Sequence, residues 1–447
     1  MTPSRPYSAV LHLAGLLLIS GTVFFQAWWV KQSDFQGILI TTVVLMAGYF
    51  WVHRPQGSLT YYRWNILVGI LLRVGCVFIL PWLSDDVYRF IWDGRLIHTG
   101  TNPFLYTPEA WLNATEQPGW SSLYPLLNSP QYFSTYPPVA QFTFYLAAWA
   151  PAGSTWLAAA LGLKVILFSA EIVNMLLLKS LLKDDHKVSL YAIHPVIIME
   201  GVGNLHYEVL LVTFLLLFVR TLKSFHFRWS GVWWALAVGT KLTPAMYLPI
   251  IYRFLPLKSR RSWVLTGFIL LGIMFTPLLH PDILSKFATS LDLYFRKFEF
   301  NAGFYYLVRQ IGLWLSGYNL IQFIGPALGV VTILTILIFT TRQNPKDGRM
   351  LIQHLFWLHL TYLLCGTTVH PWYIIVPALW GLLAGWYFPL LWLFLAWLSY
   401  SHYHQGIFYE RMGWVALEYG LLLLSIWTEW RVKKRGLFFA PESFYLS

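Results

Sequence analysis

The chain has 447 residues, of which 57% are hydrophobic and only 11% charged, with 31 Lys and Arg against 19 Asp and Glu and a formal charge of +12. Soluble domains carry about 25% charged residues, so this composition excludes a water-soluble globular protein of such length. With two cysteines, both inside apolar runs, a disulfide framework and a cysteine metal centre are excluded as well.

A helix crossing the ~30 Å hydrocarbon layer needs about 20 mostly apolar residues. In chain order, apolar runs at 10–29, 37–52 and 64–82 come first. The first is long for a signal sequence and lacks a small-residue cleavage site before Lys31, so it reads as a retained helix. A polar stretch at 84–137 follows. Beyond it lie further long runs at 156–178, 205–219, 263–279, 320–340, 351–369 and 414–430, with shorter ones at 139–150, 190–201, 232–238, 244–255, 374–388 and 390–399. The expectation is an all-α, polytopic transmembrane bundle, 1–447 as one domain, with roughly eleven to fourteen membrane segments. The external loop 84–137 contains short helices.

Basic residues concentrate on cytoplasmic loops. The dispersed positive charge therefore reads as membrane anchoring, with no nucleic acid as partner. This puts 431–435, 253–261 and 220–228 inside. With the N-terminus also inside, three crossings put 84–137 outside, and its five acids against two bases agree. If 139–150 and 156–178 both crossed, the basic stretch 179–187 would fall outside. One of them must therefore stop short, and 139–150 is the shorter.

Ser84-Asp-Asp-Val-Tyr-Arg-Phe-Ile-Trp-Asp-Gly94 opens the loop. Ser84 suits an N-cap, and helical spacing puts Asp86, Arg89 and Asp93 on one face. Acids in a first turn need no role beyond complementing the helix dipole, which accounts for one aspartate. Two adjacent acids, Asp85 and Asp86, at the exit of a spanning helix point to function, because ionisable groups at a membrane boundary are costly unless used. In Gly201-Val-Gly-Asn-Leu-His-Tyr-Glu208, two glycines break a helix just before Asn204, His206 and Glu208. Broken backbone at membrane depth is tolerated where it lines a cavity. Lys241 can snorkel to the interface or bind a lipid phosphate. His370-Pro-Trp-Tyr373 can present a donor to phosphate or form a turn with aromatic anchors. Arg296, Lys297 and Arg309 are further anion contacts. No P-loop, GxGxxG or HExxH is present, so an activated donor must arrive through the membrane. On the assigned topology, the breaks near Gly203, Lys241 and His370 all turn on the outer side, facing Asp85 and Asp86.

Taken in order, that first block, Asn102-Pro-Phe, Tyr136-Pro-Pro-Val-Ala-Gln141, Gly203-Asn-Leu-His206, Lys241-Leu-Thr-Pro244 and His370-Pro-Trp-Tyr373 resemble the bacterial mannosyltransferase-like branch of the glycosyltransferase C (GT-C) superfamily. The resemblance implies a multi-pass enzyme of the bacterial inner membrane with an extracytoplasmic active site. It would move a sugar, mannose, from a polyprenyl-phosphate donor to a lipid or glycan acceptor with inversion. Asp85 and Asp86 match the family's acidic motif and would be catalytic. Tyr207 and Glu208 after His206 depart from the expected Asn or Asp. Arg89, Lys241 and His370 are the candidates to meet the donor phosphate. Asp93, Asn204, His206, Glu208 and Tyr373 would line the acceptor cavity. No residue spacing demands a metal, although the acids leave room for a divalent cation, Mg or Mn. The rival functions are a transporter or flippase of lipid-linked sugars without chemistry, and a ligase that uses a lipid-diphosphate glycan.

Overall fold

A computed structural model describes residues 9–54, 58–115, 120, 122–149, 156–279, 281–342 and 348–435. Glu116 and Ala150 lie outside the described residues. Those residues are helical throughout, apart from turns and one isolated bridge pairing Phe300 with Thr368. Each long apolar run coincides with a helix, from Ala9–Trp29 through Met412–Lys434. The run 64–82 is shifted. Its helix spans Leu59–Val77, because Pro81 lies beyond Phe78 and the chain leaves helical geometry before it.

Five helices among the described residues are long and apolar enough to cross a membrane, or six if the bent pair Pro195–Gly203 and Glu208–Lys223 counts as one span. This is fewer than the roughly eleven to fourteen segments expected from apolar runs. Several other passes are short pieces interrupted by proline or 3-10 turns: Thr243–Tyr247 with Leu248–Phe254, Pro371–Ile374 with Ile375–Ala384, and Phe388–Ala396 with Trp397–Gly406. Exposed Leu, Ile, Val, Phe and Trp cover the long helices, as a lipid-facing surface requires.

The passes run between two ends. At one end Arg63 pairs with Asp185 at 3.1 Å, Arg220 bonds Ser180, Thr266 bonds the Arg228 carbonyl at 3.0 Å, and Lys433 bonds Gly385. This end collects the basic stretches 179–187, 220–228, 253–261 and 431–435. At the other end Gln32 bonds Trp82 at 3.2 Å, Gln405 bonds Ser33 at 3.0 Å, Asn102 bonds Pro277 at 2.9 Å, and Glu208 meets Lys241. The antiparallel Leu59–Val77 and Trp156–Leu182 helices fix the count between them: Lys164 lies level with Cys76, Glu171 with Arg73, and Asp185 with Arg63. Residues 138–156 therefore begin and end at the loop's end. Pro138–Ala147 is only 10 residues, about 15 Å, shorter than a full crossing needs.

Key charged groups inside the bundle are paired. Arg73 and Glu171, both wholly buried, meet at 2.7 Å, and Tyr191 and Asn174 complete the carboxylate's partners. Lys164 Nζ donates to the carbonyls of Cys76, Val202 and Gly203 at 2.9, 3.1 and 2.7 Å. It thereby satisfies backbone oxygens that the helix break leaves without partners.

The loop is a folded cap. Its Asp86–His98 helix lies so close to Pro138–Ala147 that a Cβ on Gly94 would sit 2.3 Å from the Phe144 carbonyl oxygen. Only glycine fits. Trp92 packs edge-on against Trp120 at 4.5 Å, and Phe104 against Phe287 at 5.7 Å.

Candidate active site

The loop helix starts at Asp86, with Asp85 at the N-cap position. This is one residue later than a Ser84 cap would give. The Ser84 hydroxyl instead accepts the Asp86 N–H at 3.3 Å, an Asx-like turn just ahead of the helix. Asp85 is exposed and makes no side-chain cap bond; Asp86 is half-buried and accepts from the Asn128 amide at 3.3 Å. Both carboxylates thus stay available at the mouth of the loop. Although the residue as a whole is exposed, protein packed around its carboxyl strips away part of the water, and this, then the adjacent Asp86 charge, raise Asp85 above the ordinary aspartate range.

Arg89 and Asp93 are not beside these acids in role. They form a buried i,i+4 pair at 2.8 Å. Arg89 also donates to the Tyr132 carbonyl at 2.9 Å, and Asp93 accepts from Ser134 at 2.5 Å and Gln141 at 2.9 Å. They brace the loop against its own return strand of chain.

The second interruption is sharper than two glycines alone suggest. The pair of helices flanking it is bent by 107°. Met199–Gly203 is a π-turn, a geometry frequent at functional sites. Leu205, a buried γ-branched residue, takes the left-handed φ of +64°, a local strain that the surroundings must hold in place. Asn204 links the break to the loop's entrance, accepting the Leu83 N–H at 3.3 Å. His206 is buried and stacks on Trp372 with centroids 3.6 Å apart and planes 10° apart.

The third and fourth interruptions meet it. Lys241 pairs with Glu208 and lies 3.6 Å from the Tyr373 ring centroid. A crevice of ≈ 230 Å³ beside them is lined by Glu208, Lys241, Thr243, His359, Tyr362 and Tyr373 among others. His370 stacks on the other aromatic neighbours, 4.4 Å from Trp372 and 4.6 Å from Phe300. Burial, then the facing His206 and Lys241, push its imidazole down to about 3, so it stands neutral and offers one donor and one acceptor. Arg309 is taken up by Glu299 at 2.6 Å and Glu410 at 2.7 Å, and Arg296 by Asp292 at 3.1 Å.

Asp85, Asp86, Asn204, His206, Glu208, Lys241, His370 and Tyr373 therefore gather at one end of the bundle through these linked contacts, whereas Arg89 and Asp93 brace the cap. One residue was missed from sequence. Glu200, wholly buried in the π-turn, accepts from Trp397 at 2.5 Å, Tyr400 at 2.9 Å and Asn204 at 3.3 Å, and lies 3.2 Å from His206. Its signal was present: an acid inside the apolar run 190–201, where an ionisable group marks a site by default. No cluster of three or more His, Cys, Asp or Glu placed to hold a metal ion occurs among the described residues. No family model matches the chain, and no curated protein matches it either.

Proposed function

We propose that this chain is an integral membrane glycosyltransferase of GT-C type that moves one sugar, mannose, from a polyprenyl phosphate to a lipid or glycan acceptor on the extracytoplasmic side of a bacterial inner membrane. The observation that carries the reading is the pair Asp85 and Asp86, left open at a loop-helix N-terminus on the end of the bundle where three broken passes also turn. The basic stretches gather at the opposite end, which supports the assignment of that end to the cytoplasm.

Inverting transfer needs a base for the acceptor hydroxyl, an in-line approach to the anomeric carbon, and stabilisation of the departing phosphate. In this reading one of the two aspartates takes the hydroxyl proton while the acceptor oxygen bonds to the anomeric carbon. The bond from that carbon to the phosphate oxygen breaks, and its electron pair leaves on the polyprenyl phosphate. Asp85, with its raised carboxyl, is the better base, and Asp86 orients the acceptor. Lys241 and His370 face the phosphate. Arg89, committed to Asp93 and Tyr132, holds the cap that carries the aspartates.

The test is transfer of radiolabel from polyprenyl-phosphate mannose by the full chain in lipid. Asp85→Asn or Asp86→Asn should lower the rate by about 10²–10⁴-fold while the protein remains inserted and folded. Full activity in both variants would sink the assignment. Labelled lipid that crosses the bilayer without product would point to a flippase, and activity only with a diphosphate glycan would point to a ligase.

A further inference from the structure

The most heavily built part of the molecule outside the two aspartates is the buried pair of Glu200 and His206. The His206 ring is fixed at one nitrogen. Nδ1 lies 2.9 Å from the Glu200 main-chain carbonyl and 3.2 Å from the Glu200 carboxylate. Both of these groups accept, so Nδ1 carries the hydrogen. The ring plane is fixed by Trp372, and the carboxylate is itself fixed by Trp397, Tyr400 and Asn204. The backbone spends a π-turn and a left-handed leucine to deliver the ring there.

Against this over-determination, Nε2 of His206 is buried and has no hydrogen-bond partner among the described residues. A buried polar nitrogen left unpaired is costly, and here the unpaired atom sits on a ring whose position every other contact fixes, which makes a bound ligand the explanation to test. The surroundings indicate which ligand. His370 shares the Trp372 ring with His206, and its titration registers both His206 and Lys241. Lys241 lies over Tyr373, whose ring is 5.3 Å from His370. Nitrogen groups from three breaks thus lie against the adjacent Trp372 and Tyr373 rings, the two histidines stacked on Trp372 and Lys241 over Tyr373. The charged and titratable groups on the elements packed around His206 are Glu200 on its own turn, Lys164 below it at the Gly203 carbonyl, Cys76, His370, Tyr373 and Tyr400.

We infer that His206 Nε2, oriented by Glu200, is a binding contact for a phosphate oxygen, with Glu200 as the residue that positions it. The inference rests on the transferase reading for its ligand, a phosphate monoester or diester, and adds a donor that the sequence had assigned only to the cavity wall. His206 binds as the imidazolium: Nε2 takes up a proton from solvent along with the ligand and donates it to the phosphate oxygen, while Nδ1–H remains on Glu200, whose carboxylate balances the ring's charge. No covalent step is involved.

The experiment uses the full chain, labelled with ¹⁵N-histidine, in lipid nanodiscs. The His206 signals are assigned by their absence in His206→Gln. Polyprenyl phosphate, polyprenol and inorganic phosphate are then added in separate arms. The expected result is a large shift of Nε2 with a smaller one of Nδ1 with polyprenyl phosphate, neither with polyprenol, and a loss of affinity of about 10- to 100-fold in His206→Gln. Glu200→Gln should weaken the Nε2 response, and Glu200→Asp should restore part of it, a rescue that a purely structural acid would not give. An equal shift with inorganic phosphate would assign the site to free phosphate rather than the lipid headgroup. No Nε2 shift with either phosphate, or the same shift with polyprenol, overturns the inference. Because binding is read directly, a chain that binds polyprenyl phosphate through His206 yet transfers no sugar would refute the transferase reading and leave this one standing.

Discussion

Lys164 offers the most direct test of how the bundle builds its site. Its ammonium, 2% exposed, donates to three carbonyls at 2.9, 3.1 and 2.7 Å, two of them on the π-turn that carries Glu200 and leads to His206. Lys164→Met keeps the length and apolar bulk of the side chain and removes all three bonds. A hydrogen bond to a charged group contributes about 1.5–3 kcal/mol net. The sum is not the expected loss, because the variant also escapes the desolvation of a buried ammonium. What remains is the cost of stranding the Val202 and Gly203 carbonyls, about 1–3 kcal/mol each, so the variant should be destabilised by about 2–6 kcal/mol. Denaturant titration in detergent reads the global value. Hydrogen exchange across 199–207 reads the local one and should speed up there before it does in the Trp156–Leu182 helix itself. A variant within about 1 kcal/mol of the parent, with unchanged exchange at the turn, would show that the ammonium does not hold the break.

Two other expectations follow from named groups. Transfer should fall on acidification through an apparent pKa above the ordinary aspartate value of about 3.9, since Asp85 is raised by burial and by Asp86 and a base must be ionised to work; kcat/KM against pH measures this, and a profile flat through that range contradicts it. The same shift has the opposite sign for stability, because the folded state holds that proton more tightly: the group favours folding at low pH, and its contribution is lost as pH rises through the folded pKa. Glu171→Leu should destabilise the fold by about 3–5 kcal/mol by leaving the wholly buried Arg73 unpaired, and Arg73→Met in addition should recover much of the loss, as denaturant titration of the two variants can show.

The long helices were legible because hydropathy averages over twenty residues, and Ala9–Trp29, Trp156–Leu182 and Ile321–Arg342 hold their apolar character over that length. The same averaging concealed Glu200, Lys164 and Glu171, single charges diluted by apolar neighbours. The shortness of Pro138–Ala147 agrees with what the basic stretch 179–187 implied, because charge reports side independently of length. Composition could not reveal that Arg89 pairs with Asp93 and the Tyr132 carbonyl. Spacing put both on one face, but whether an i,i+4 pair is consumed or offered depends on what covers it, here Ser134, Gln141 and the Tyr132 carbonyl. The short passes after Lys241 read as apolar, but prolines 244, 371 and 389 divide them into pieces whose helical limits no window resolves.

Glu200 accepts from Trp397 and Tyr400, which follow it by 197 and 200 residues. At about 5–20 residues per second, those donors leave the ribosome some 10–40 s after the acid. A lone carboxylate held at membrane depth costs about 2.5–3.5 kcal/mol, so the early hairpin has reason to remain shallow until the final passes arrive. Biogenesis would then have a built-in order. The nascent protein would stay inert until its last helices enter, and a chain truncated before residue 397 would be left with an unburied acid, a distinguishing mark for quality control.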